Sequence, residues 1–268
     1  MRWTADPGGT RPTCVRHRAV RSGLALLLAG GVVPVMAADD APAQAAGAQA
    51  PAPPVPPFKF TLGYYDFGDF GGTDANLRYR RDDTSLWIGW YHDREFGRQT
   101  RAGADTSVSP WKDTPLSIQP SLQVATGNFI GGSLALQYGN PWYVSAGIGR
   151  TNLKPYVNLN FDPNDAISIV AGHQSDTGPS YYVSAIVDDR LGTQQRHFHA
   201  NVRVPLHDGE RVTFDLLRKQ GQGDTGYVRA IGASMTYDFP RWFVRLAYDP
   251  KQNFGRYDVT RISTGIRF

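Results

Sequence analysis

The chain has a single cysteine, Cys14, among 268 residues, so neither a disulfide framework nor a cysteine-based metal site can be built from it. No apolar run reaches the roughly 18 residues that a transmembrane helix requires. The longest candidate, residues 22–35, is too short and is broken by Gly30, Gly31 and Pro34. From Phe58 onward a 3.6-residue apolar period never persists, which excludes a helical core. Phosphate-cradling glycine motifs, catalytic carboxylates paired on a helix and zinc-type spacings are also missing. No cofactor is expected.

The start of the chain explains its charge. Arg11, Arg16, His17, Arg18 and Arg21 precede the short apolar core, and Val35-Met36-Ala37 supplies the small residues of a cleavage site. Residues 1–37 therefore read as an export signal peptide, with maturation near Ala38. The whole chain carries a formal +4, but residues 1–37 contain five Arg and one Asp, and without them basic and acidic residues are equal in number. The basic excess belongs to targeting, and no nucleic-acid partner is expected. Cys14 lies before the apolar core, so it leaves with the signal. Residues 38–57 are rich in Ala and Pro with almost nothing to bury, the composition of an extended periplasmic linker.

Beyond Phe58, period-two alternation recurs between Gly, Asn, Asp and Pro punctuation. Leu116, Ile118, Leu122 and Val124 oppose Ser117, Gln119, Ser121 and Gln123; Trp142, Val144, Ala146 and Ile148 oppose Tyr143, Ser145, Gly147 and Gly149. Candidate strands fall at 58–66, 75–81, 85–92, 99–108, 116–125, 129–138, 142–150, 154–161, 166–173, 180–188, 196–206, 211–219, 226–237, 242–249 and 257–268. No connection between them is long enough to be an obvious plug. Polar faces rich in Gly, Ser, Asn and Gln suit a crowded, hydrated interior. Tyr138, Trp142, Tyr182, Tyr227, Trp242 and Tyr248 sit at strand ends, where interfacial girdles lie.

The last stretch, residues 257–268, places Ile262, Thr264, Ile266 and Phe268 on one face and Arg261, Ser263, Gly265 and Arg267 on the other. It resembles the closing strand of Gram-negative outer-membrane β-barrels, in which a terminal aromatic, here Phe268, belongs to the assembly signal. That resemblance implies an all-β, transmembrane antiparallel β-barrel over 58–268, in the cell outer membrane. Its implied partners are outer-membrane lipid, lipopolysaccharide and the barrel-assembly machinery. Single-chain bacterial barrels have an even strand number, so one of the fifteen candidates is surplus. Fourteen strands are expected, with 12 or 16 as alternatives, and 142–188 is the region where two short candidates could be one strand.

Parity then assigns Lys59, Arg78, Arg80, Arg203, Arg211, Arg245, Arg261 and Arg267 to the lumen, with Asp215 and Asp249 as the main inner acids and the other acids in turns and loops. Such a wall attracts anions, although Arg is also common inside small barrels as a structural partner of carboxylates. A small porin-like channel or export pore for anionic solutes or an acidic polysaccharide is the leading reading. His173 and Ser175 resemble the HxS element of outer-membrane phospholipases A and lipid A deacylases. This implies a Ser nucleophile and a His base on the outer wall, although Asp176 stands where those families usually carry Asn. A lipid hydrolase is the first alternative, and a closed structural or adhesion barrel the second. His197 and His199, two apart on one face, would need a third ligand, Asp188 or Asp189, to hold a metal. Lumen polarity explains the pair more simply, and no metal site is assigned. Tyr64, Tyr65, Phe67, Phe70, Trp87, Trp90 and Tyr91 could stack on sugars, but girdle and loop packing is the ordinary account.

Overall fold

A computed structural model describes residues 56–159 and 162–268. The signal segment 1–37 and all but the last two residues of the linker 38–57 lie outside the described residues. Fourteen strands are present among those described: β1 (Phe58–Asp66), β2 (Gly71–Arg81), β3 (Thr84–Asp93), β4 (Gly97–Thr106), β5 (Leu116–Ala125), β6 (Phe129–Tyr138), β7 (Trp142–Thr151), β8 (Ala166–His173), β9 (Ser180–Asp188), β10 (Arg196–Pro205), β11 (Arg211–Gly223), β12 (Gly226–Asp238), β13 (Trp242–Asp249) and β14 (Val259–Arg267). Each is antiparallel to its neighbours in sequence, and β1 pairs with β14 to close the barrel.

The seam is made by the two ends of the body. Phe58 and Phe268 exchange both backbone hydrogen bonds at 3.0 Å, and their rings stack outside with centroids 5.6 Å apart. From there the register runs from Lys59 opposite Arg267 to Asp66 opposite Thr260. No sheet edge is left, which is the condition for strands to cross hydrocarbon.

Alternation sets the two faces. Leu62, Ile262, Ile231 and Trp142 point outward and are about half exposed or more, whereas Tyr65, Ser263 and Phe243 on the opposite face are buried. The exposed Leu, Ile, Val and aromatic side chains recur on every strand pair, a surface far more apolar than a soluble protein presents to water. Tyr138, Trp142, Tyr227, Trp242 and Tyr248 are exposed on this outer face. Tyr182 is not. On β9 Tyr181 and Val183 point out, so Tyr182 has the inward parity, and the girdle reading of Tyr182 is corrected.

The surplus candidate strand is 154–161. Its two final residues lie outside the described ones, and the rest is not a strand but part of the β7–β8 connection, 152–165. The chain leaves β7 through Leu153 in the left-handed region (φ 57°). Pro155, lacking an N–H, cannot continue a ladder, and β7 instead pairs directly with β8, from Trp142 opposite His173 to Gly149 opposite Ala166. The segment turns inside: Tyr156, Asn158 and Leu159 are buried. Alternation at Tyr156–Leu159 thus reflects packing within the lumen: a connection that did not look long enough to be an obvious plug does enter the barrel.

An even strand count puts both chain ends at one rim, the terminal end, together with the connections 82–83, 107–115, 139–141, 174–179, 206–210 and 239–241. The opposite rim, the loop end, carries 152–165, 189–195 and 250–258. The purified chain is expected to be monodisperse only in detergent or lipid. It should also migrate faster on a gel before boiling than after, as a closed barrel does; solubility as a compact monomer in plain buffer would refute the outer-face assignment.

Candidate functional site

The inner wall at the loop end is a packed polar and aromatic lining organised by segment 152–165. Gln99 on β4 holds it at its middle: the Val157 N–H donates to Oε1 at 2.7 Å and the Gln99 amide returns a bond to the Val157 carbonyl at 3.0 Å. One side chain thus supplies the pair of bonds that a neighbouring strand would give. Tyr156 stacks on Phe129 with centroids 4.2 Å apart. The Asn158 carbonyl accepts from Asn253 at 3.0 Å and Gln252 at 3.4 Å, which come from a short 3-10 turn in the β13–β14 connection. At its end, Asp165 takes the Thr151 N–H and hydroxyl and the Arg190 guanidinium, the last at 2.6 Å.

Above the segment, Tyr65, Phe67, Phe70, Tyr91, Leu159 and Val259 form an apolar cluster, with Phe96, Val157 and Tyr257 against it. Tyr91 reaches it because Gly72 offers no side chain; a Cβ there would lie 2.6 Å from the Tyr91 hydroxyl. Among the N-terminal aromatics, Tyr64 and Trp90 face outward, while Tyr65, Phe67, Phe70 and Tyr91 belong to this cluster.

Asp162 is the residue of the segment that meets β10. Its Oδ1 lies 2.7 Å from His197 Nδ1 and 3.2 Å from His199 Nε2, and His199 Nδ1 lies 2.9 Å from Asp215 Oδ1. Burial alone would raise the Asp162 carboxyl, but the charge on His199 and hydrogen bonds from both imidazoles hold it well below the ordinary carboxylate range. The third group facing the two histidines is therefore Asp162. Asp188 and Asp189 are not: Asp188 accepts from the Arg190, Leu191 and Thr193 amides, and Asp189 pairs with Arg150. Beside this cluster the buried Lys219 ammonium meets Asp249 at 2.5 Å.

The predicted lumen residues carry partners that sequence parity did not supply. Arg78 donates to Ser85 and lies 3.6 Å from Asp105. Arg211 and Arg267 both reach Asp238. Lys59 sits 4.7 Å over the Phe243 ring, Arg245 donates to Thr236, and Arg261 reaches the Tyr65 hydroxyl. Arg80 pairs in register with Ser85, and Arg203 with Thr213 and Ser180. The inner acids extend well beyond Asp215 and Asp249. Asp74 forms a 2.7 Å ion pair with the buried Arg101, while most acids of the described residues lie in turns and connections, as expected. Strand interiors can carry carboxylates here because the cations beside them offset their desolvation.

No protein-family model matches the chain, and no curated protein does. Among solved structures it is similar to the outer membrane protein Omp33 of Acinetobacter baumannii, with a TM-score of 0.52 and 11% identity, covering 80% of this chain and 99% of that one. The KdgM porin has a TM-score of 0.45 at 9% identity, covering 78% and 99%. The NanC porin has 0.44 at 8%, covering 79% and 98%. The chain folds as an outer-membrane β-barrel.

In this outer-membrane barrel, His173 and Ser175 lie at the terminal end and are not brought together. The His173 ring packs outside, with centroids 4.9 Å from Trp142 and 5.4 Å from Tyr181, and its Nδ1 is buried without a partner. Ser175 Oγ accepts the Gly178 N–H at 2.8 Å, closing the β8–β9 turn. Among the described residues no hydrogen bond links the two side chains, the contact a Ser–His nucleophile needs. Asp162 was the residue that sequence reasoning missed. It sits between Phe161 and Pro163 in a run that reads as turn, and nothing local signals that it meets a strand 35 residues away.

Removing the amide of Gln99 by Gln99→Ala leaves the buried Val157 backbone unpaired, at about 1–3 kcal/mol. Faster hydrogen exchange confined to 152–165 is the expected result, with the strand ladders unchanged. The turn that supports Asn158 should respond to acid. The Lys251 N–H at 3.0 Å and its ammonium at 3.1 Å lower the Asp258 carboxyl, so its stabilisation is complete above the ordinary carboxylate range and is lost as pH falls through the lowered value. Exchange at the Lys251 amide is expected to keep constant protection from neutral pH to about 4 and lose it below.

Proposed function

We propose that the protein is a small outer-membrane channel whose lumen is narrowed from the loop end by segment 152–165 and lined by cations at the terminal end, so that it favours anionic solutes. The observation that carries this is the distribution of charge along the inner wall. Lys59, Arg78, Arg80, Arg203, Arg211, Arg245 and Arg267 all lie toward the rim of the chain ends, near the β1–β14 and β2–β3 registers that begin there. Asp105 and Asp238 stand among them, and Asp238 is shared by two arginines. An excess of fixed positive charge in a water-filled, low-dielectric wall raises the local concentration of anions.

The longest connection, 152–165, lies at the loop end and both chain ends lie at the other, which accords with an extracellular and a periplasmic rim. That orientation puts Ser175 on the periplasmic side, opposite to what a surface lipid hydrolase of the resembled kind requires. Lipid and lipopolysaccharide would surround the apolar belt, and the exposed Phe268 would be read by the assembly machinery. An acidic polysaccharide is the larger ligand such a mouth could accept.

In planar bilayers under a salt gradient, the chain is expected to give discrete conductance with a reversal potential biased toward the anion. Replacing Arg78, Arg80, Arg203 and Arg245 by Gln should move that potential toward the value of an unselective pore. Unchanged selectivity would refute the charge argument, and absence of any conductance would favour a barrel closed by 152–165.

A further inference from the structure

We infer that Asp162, His197 and His199 form a binding site for a divalent transition-metal ion such as Zn²⁺, which staples segment 152–165 to the β10 wall. Among the described residues this is the one group of three or more such side chains whose ligand atoms lie within 4.8 Å of one another. Its donors are two imidazoles and a carboxylate, the set that a borderline ion of this type takes.

The surroundings point the same way. His199 has both ring nitrogens on carboxylates, Nδ1 on Asp215 and Nε2 on Asp162. Nδ1 held on Asp215 is the carboxylate–histidine arrangement that orients an imidazole whose other nitrogen takes a metal ion. A lone pair cannot face a carboxylate without a positive species between them, which must be a proton or a metal ion. Two aspartates, Asp162 and Asp215, face two imidazoles in a site where the His197 side chain is fully buried and that of His199 is 12% exposed. A divalent ion cancels the charge of the carboxylates, and Lys219 does not, because Asp249 already neutralises it at 2.5 Å. Geometry is within reach. Bonds of about 2.0–2.1 Å in a tetrahedral site put ligand atoms roughly 3.4 Å apart, so the 2.7 and 3.2 Å separations must open and the two imidazole nitrogens, within 4.8 Å of each other, must settle to the same spacing, adjustments that side-chain rotation supplies.

The consequence is mechanical. Asp162 belongs to the inserted segment and both histidines to the wall, so a shared ion adds a coordination link to the hydrogen bonds, ring stacking and ion pair that already join them. Its effect on current rests on the channel reading; ion retention does not.

The test uses the untagged chain in detergent micelles, dialysed against ZnCl₂ and assayed for bound metal, with Co²⁺ substitution read by visible absorption. One Zn²⁺ per chain and a tetrahedral Co²⁺ spectrum are expected, together with slower hydrogen exchange of 152–165 on zinc addition. Asp162→Asn and His199→Ala should lose the ion, His207→Ala in the β10–β11 turn should keep it, and Asp215→Asn should weaken it tenfold to a hundredfold. Asp162→Asn changes no strand, so it decides the matter if His199→Ala fails to close, as judged by gel mobility before boiling. Zinc at background in the parent chain, meaning that a proton alone sits between Nε2 and Asp162, would overturn the site, as would equal retention in Asp162→Asn. Conductance in EDTA is measured separately: a conducting chain that binds no zinc loses the site and keeps the pore, and a zinc-binding chain that never conducts does the reverse.

Discussion

Every backbone N–H and C=O that crosses hydrocarbon must find a partner within the protein, and in this chain that condition is met only if its first and last strands meet. The reciprocal bonds between Phe58 and Phe268 start that seam, and fourteen antiparallel strands follow from it. Closure forces an even count, places both ends at one rim, and turns the two faces of each strand into a lipid surface and an interior. Where each loop lies then follows.

An interior wide enough for fourteen strands cannot be filled by wall side chains alone, and here part of the chain folds into it. The β7–β8 connection suits this because it must satisfy its own backbone once it leaves the ladder. Gln99, Gln252 and Asn253 do so from the wall and from the β13–β14 turn. The same crowding explains the buried ion pairs. Asp74 with Arg101, and Lys219 with Asp249, are tolerable only as pairs, since either member alone would leave a buried uncompensated charge. An inner wall built this way is partly structural, and charge that could act on a solute is concentrated toward the opposite rim.

The fold was legible because membrane barrels expose the alternation that soluble sheets bury. Ile262 and Ile266 against Ser263 and Gly265 announce a strand with two different environments, and repetition of that pattern along the body leaves little choice of architecture. Where reading failed, local pattern carried no information about position. Tyr156–Leu159 alternate as well as any strand, yet Pro155 and the direct pairing of β7 with β8 send them inside. Tyr181 and Tyr182 are adjacent aromatics at a strand end, and only the register of β9 decides which one meets lipid.

Charge shows the same division. Alternation alone assigns Arg78, Arg203 and Arg267 a face, because side-chain direction within a strand is a local property. Which carboxylate each cation meets depends on register across the sheet and on the inserted segment. Sequence by itself therefore determined the class of fold, the two faces of the wall and the residue types that line it. Tertiary structure alone decided that Asp162 would stand between His197 and His199, because barrel closure and an inserted loop bring together residues that no periodicity connects.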